Sequence, residues 1–148
     1  MTLRIRRIED SEYETASEVV LLTFLDCVAS SMEPQGIKVF HEFATAEAMR
    51  SHDAIGSSTY VALDGAHLVG VLHVRDSNHI SLLFVLPAFH GKGIGRALID
   101  FADQSSRLLT VNSSINATHS YESYRFSASG PEQVTDGILF VPMQRNVA

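Results

Sequence analysis

The chain has 148 residues, 45% of them hydrophobic and four of them proline, enough to bury the core of one compact domain spanning 1–148. Its formal net charge of −6, with no basic stripe interleaved with aromatics, argues against a nucleic-acid partner held through its phosphates. A lone cysteine, Cys27, excludes a disulfide framework and a thiolate zinc site, and the opening MTLRIRRIEDSEYE turns acidic too early for a signal segment.

No stretch approaches the roughly 18 apolar residues of a membrane span, so the expectation is a cytoplasmic protein without a membrane partner. Cys27 is expected to pack in a helix.

Residues 3–8, LRIRRI, alternate apolar and charged, the period of a half-buried strand. A helix is predicted next: Ser11 and Glu14 have capping-box spacing, and Tyr13, Ala16, Val20, Phe24 and Cys27 recur every three or four residues. The segment Glu33-Pro34-Gln35-Gly36 is expected to stop it. A second helix is predicted from about Val39 to His52, with Phe40, Phe43 and Met49 inward, before the Gly56-Ser57-Ser58 loop.

Three strand-like runs follow, 59–63, 67–74 and 79–85, joined by Asp64-Gly65, a strong hairpin signal, and by Asp76-Ser77-Asn78. After a glycine-rich turn comes a predicted helix reaching about Arg107, with Ile94, Ala97, Leu98 and Phe101 on its apolar face, and then a strand over 108–111. A helix joining two strands implies a parallel crossover. The remainder reads as a short helix near 116–124, a strand over 124–129, a Gly-Pro loop and a last strand over 138–143. The order β-α-α-β-β-β-α-β-α-β-β describes a mixed α/β sheet, and an exposed last strand would allow a homodimer by edge addition.

The turn in FVLPAFHGKGIGRAL, residues 84–98, carries the functional signal. Glycines 91, 93 and 95 remove Cβ atoms where a strand feeds a helix, so main-chain N–H groups can face a ligand. The helix dipole places about half a positive charge there. His90, Lys92 and Arg96 make the local field positive despite the acidic total. A phosphate-bearing ligand satisfies all three features, and a bare tight turn is the alternative. A P-loop fails because Gly93 follows Lys92, and a dinucleotide fingerprint fails because Arg96 stands where its third glycine belongs.

The residues Val85, Pro87, Gly93 and Gly95 fit V-x-P-x-x-[Q/R]-x-x-G-x-G/A, which resembles the acyl-CoA-binding signature of the GNAT superfamily of N-acetyltransferases. His90 stands where that signature has glutamine or arginine. The segment NATHSYESYRF, 116–126, is similar to a second family segment through Asn116, Tyr121 and Phe126, with Arg125 in place of glycine and Ser120 in place of an apolar residue. The order of elements also looks like that fold, so the resemblance spans nearly the whole chain.

The resemblance implies an acetyl-CoA-dependent N-acetyltransferase acting by direct transfer to an amine of a small molecule or protein. It implies backbone pairing of pantetheine near Phe84 and Val85, and a diphosphate held at His90, Gly91, Lys92, Gly93, Ile94, Gly95 and Arg96. Asn116 would cap its helix, touch the cofactor, or both. A backbone N–H near Val85 would serve the oxyanion, and Tyr121 would be the general acid for the departing thiolate. The base that deprotonates the amine has four candidates, Glu33, His41, His73 and His79. Seven histidines show no H-E-x-x-H or comparable spacing, so no metal is expected, and no G-x-S-x-G elbow is present. A domain that binds acyl-CoA without turnover is the competing expectation.

Overall fold

The structure, a computed structural model, describes residues 1–146. Its strands are β1 (Leu3–Arg7), β2 (Ser58–Asp64), β3 (His67–Arg75), β4 (His79–Val85), β5 (Thr110–Ser113), β6 (Ser127–Ala128), β7 (Gln133–Thr135) and β8 (Ile138–Gln144). Its helices are α1 (Tyr13–Cys27), α2 (Pro34–Phe43), α3 (Ala46–Ala54), α4 (Ile94–Ala102) and α5 (Thr118–Ser123). The sheet runs β1-β2-β3-β4-β5-β8-β6, with β7 also on β8. It is the expected mixed sheet, antiparallel except where β4 meets β5.

The alternating side chains of β2 and β3 feed two cores. On one face Ala62, Leu72 and Val74 meet Ile94, Leu98 and Ile99 of α4 and Tyr121 of α5. On the other, Val61, Leu63 and Val71 meet Ala16 and Val20 of α1 and Met49 of α3. Several helix boundaries depart from the predicted ones. The capping box that precedes α1 is formed by Glu9 and Glu12, not Ser11 and Glu14, because Arg6 fixes the Glu12 carboxylate with bonds of 2.7 and 2.8 Å. Pro34 opens α2 instead of ending α1, since proline at the first helical position gives up only an N–H with no intrahelical acceptor.

The single helix predicted over 39–52 is two, divided at Ala44 and Thr45. The Thr45 hydroxyl caps α3 by accepting from Ala48 N at 3.1 Å. Helix α4 ends at Ala102, short of Arg107, and β5 starts two residues later than expected. The last strand is not a free edge: β5 pairs one flank of β8, and β6 and β7 occupy the other. Edge addition through that strand is therefore closed. Among the described residues no helix is long and apolar enough to cross a membrane.

Two further contacts hold the helical face together. The Asp53 carboxylate of α3 lies beneath β3, where the Tyr13 hydroxyl donates to it at 2.5 Å and His73 Nε2 stands 3.5 Å away. Burial alone would raise its pKa, but His73, Tyr13 and Thr59 converge on it and hold it below the ordinary 3.8. At the other end, Gly36 of α2 lies against Gly137, in the turn between β7 and β8. A Cβ on Gly137 would stand 2.5 Å from Gly36 N, and one on Gly36 would strike the Gly137 carbonyl. This clasp joins α2 to the β7–β8 hairpin.

Gly36→Ala is therefore expected to lower stability by about 1–3 kcal/mol in urea unfolding, although helix propensity alone would favour alanine by about 1 kcal/mol. For Asp53 the unfolded chain takes up the proton first, so its contribution is present above the ordinary carboxylate value and lost as pH falls below about 4. Unfolding midpoints measured from pH 7 to pH 2 should fall through that range, and Asp53→Asn should flatten that part of the profile.

Candidate active site

The site begins at a failure of strand pairing. Strands β4 and β5 pair at His79↔Thr110 and Ile80↔Val111 and then separate. At the point of separation β4 carries a bulge: His73 faces Leu82 and Val74 faces Ile80, leaving Ser81 without a partner on β3. The bulge exchanges the faces of the side chains beyond it, so Ile80 joins one core and Leu82 the other. Ser81 Oγ is buried with no hydrogen-bond partner and lines the cleft.

Past the bulge, Leu86 N donates to Val69 O at 2.9 Å, which sets the alternation of peptide groups. Those of Phe84 turn into β3, and those of Leu83 and Val85 face the gap left by β5. Of the segment expected to offer free backbone, Phe84 and Val85, the structure turns the peptide groups of Val85, with those of Leu83, into the gap, while Phe84 pairs with β3 and contributes its ring to the cleft wall.

The cleft has a volume of about 1090 Å³ and takes lining from α1, α2, β4, the glycine turn, α4, β5, α5 and the β7–β8 hairpin. At one end the turn feeds α4. Gly91 (φ 75°) and Gly93 (φ 79°) are left-handed, and a Cβ on either would point into open space. The N–H groups of Ile94, Gly95 and Arg96 open the helix without intrahelical acceptors, while the Ile94 side chain is buried in the core. The residues present therefore suit an anionic group held by main-chain amides.

Gly95 has another reason to be glycine: the Tyr124 hydroxyl lies 2.6 Å from where its Cβ would be. Tyr124, on no expected list, packs α5 onto the first turn of α4.

Three of the four polar side chains expected at the cofactor have partners within the protein. His90 Nε2 donates to Val85 O at 2.6 Å, bending the turn back onto its own strand. Arg96 donates to Ser123 O at 2.8 Å and stands 5.4 Å over the Tyr124 ring, which ties it to α5. Lys92 is exposed and outside the cleft lining. Asn116 lines the cleft without capping its helix; its Nδ2 donates to Cys27 O at 3.1 Å, joining the end of α1 to the segment after β5. Cys27 lines the cleft, and burial beside Asp26 pushes its thiol pKa up, which keeps it protonated.

Tyr121 is 6% exposed, lines the cleft, and meets Tyr124 and Phe126 edge-on at 6.0 and 5.8 Å. Burial raises its pKa well above the ordinary range, so it carries a hydroxyl at any physiological pH. Of the four base candidates, Glu33 and His41 are exposed and outside the cleft lining, and His73 is turned against α3. His79 lines the cleft, bonds Thr110 Oγ1 at 2.8 Å, and is pushed down to about 4 by burial and Arg75, which leaves it uncharged near neutrality. Among the described residues no group of three or more His, Cys, Asp or Glu is placed to hold a metal ion.

Comparison with known proteins agrees with this geometry. The family model for the acetyltransferase (GNAT) domain matches residues 28–147. The chain is 24% identical over 132 residues to the Escherichia coli (strain K12) protein named uncharacterized N-acetyltransferase YafP, covering 89% of this chain and 86% of that one. A GCN5-related N-acetyltransferase structure from Rhodopseudomonas palustris has a similar fold, with a TM-score of 0.78 at 18% identity over 99% of this chain and 97% of the other. The PaiA N-acetyltransferase of Thermoplasma acidophilum, solved with coenzyme A, aligns with a TM-score of 0.76 at 19% identity over 99% of this chain and 100% of its own.

Since Gly93 is left-handed with open space around it, Gly93→Val should remain folded, losing about 1–2 kcal/mol to backbone strain. Its thermal midpoint should drop by a few degrees and its circular dichroism spectrum should be unchanged.

Proposed function

This chain belongs to the acetyltransferase (GNAT) family, and on that footing we propose that it moves the acetyl group of acetyl-CoA to a primary amine by direct attack in a ternary complex. The observation that carries this is the coincidence, in one cleft, of the unpaired β4 peptide groups with the glycine-opened start of α4. An extended amide-bearing arm ending in a diphosphate is the ligand that would use both at once. The Leu83 and Val85 peptides would pair the arm, and the amides of Ile94, Gly95 and Arg96 would hold the diphosphate. Acetyl-CoA supplies an activated acyl thioester.

The protein's own part is positional and acid–base. A free backbone N–H on β4, with Val85 the first candidate, would stabilise the oxyanion. Tyr121 would give its proton to the departing sulfur, and the burial that raises its pKa keeps that proton available. A thiol of pKa about 8.5 leaves fairly well unaided, so this help is moderate. Side-chain contacts to the diphosphate are reduced relative to expectation, because His90 and Arg96 already have protein partners.

Thiol release with acetyl-CoA and a panel of amines tests the reaction. Amine-dependent release is expected, and Tyr121→Phe should lower kcat by about tenfold with little change in the KM for acetyl-CoA. Gly93→Val should abolish acetyl-CoA binding in calorimetry. Tight binding with no amine-dependent release would point instead to an acyl-CoA sensor, and unchanged affinity in the valine variant would overturn the placement of the diphosphate.

A further inference from the structure

Taking the acetyltransferase reading as given, the half of the cleft away from the glycine turn is specific in its chemistry. Helix α2 lines it with Val39, Phe40 and Phe43, and β8 faces them with Leu139 and Phe140. Phe40 is held rigid, stacked on Phe24 at 3.8 Å and met edge-on by Phe84 at 5.7 Å. Among the described residues lining the whole cleft, Asp136 is the one carboxylate, and it is exposed in the β7–β8 turn. The charged side chains opposing it are Arg75 and Arg96. The chain carries 17 acidic residues, so their near absence here is a local feature and not a compositional one.

We infer that the acceptor is a small monoamine with an aromatic or aliphatic body, and not a polyamine or a lysine-rich polypeptide. A second ammonium group on the acceptor would be taken out of water against aromatic rings, with only the exposed Asp136 of the β7–β8 turn to receive it. A single amine has the opposite relation to these walls. An apolar surround favours its neutral form, which is the form that attacks, and this eases a deprotonation for which the described cleft lining offers only the weakly basic His79 and the exposed Asp136. The close Gly36–Gly137 contact holds α2 to the β7–β8 hairpin and so fixes the spacing of the two elements that supply these apolar walls.

The test uses the purified full chain with acetyl-CoA and compares 2-phenylethylamine and hexylamine with spermidine and a lysine-rich peptide. The apolar monoamines should exceed the polycations in kcat/KM by at least about tenfold. Val39→Asp, on a partly exposed face of α2, should raise the KM for 2-phenylethylamine by about tenfold and leave acetyl-CoA affinity unchanged in calorimetry. Val39→Thr, close in shape, should shift that KM in the same direction by a smaller factor. Spermidine or the peptide matching the monoamines would overturn the acceptor class and leave the transferase reading intact. Acetyl-CoA binding with no release to any amine would overturn that reading, and this inference with it. An unchanged KM in both Val39 variants would overturn the role of the α2 wall.

Discussion

Two residue pairs join β4 to β5, and the rest of the site follows from how few they are. A buried strand edge normally satisfies its peptide groups against a neighbour, and leaving them bare costs about as much as a lost hydrogen bond for each. The fold instead turns those of Leu83 and Val85 toward an open cleft, where water can reach them. The bulge at Ser81 makes the departure possible, because it shifts β4 relative to β3 at the residue after the last parallel pair. The His90 imidazole meets part of the demand by donating to the Val85 carbonyl, in a position where the family signature has glutamine or arginine.

Electrostatics in this protein are local. The formal charge of −6 comes from residues outside the cleft lining, whose charged groups among the described residues are Asp136, Arg75 and Arg96. The cleft is lined by main-chain dipoles at the start of α4 and by Arg75, Arg96 and Asp136. Burial leaves Tyr121 and Cys27 protonated and His79 uncharged. The cleft thus presents neutral side-chain donors and oriented amides, with little free charge.

What the sequence disclosed followed the range of the interaction concerned. The hairpins and the glycine turn rest on φ preferences at single residues, so Asp64-Gly65 and Gly91 to Gly95 were legible directly. Arg125 fits the same logic: it sits at φ 73° where the family segment has glycine, which identifies the position as left-handed whatever residue fills it. Pro34 was ambiguous because proline both ends helices and begins them. The pairing of Asn116 with Cys27 and of Arg96 with Ser123 spans 89 and 27 residues, and no local pattern encodes it. Strand β7 is short and exposed throughout, and so offered no alternation to read.

The contact between Gly95 and Tyr124 has a consequence for how the protein can vary. Tyr124 sits three residues after Tyr121 and touches its ring, so the segment carrying the proposed acid is seated directly on the helix turn proposed for the diphosphate. With Arg96 bonded to the same segment, the two proposed roles, anchoring and proton delivery, would rest on a single mechanical part. A drift in sequence on one side would have to be answered on the other, and a compound wedged between the two would disturb both with a single insertion.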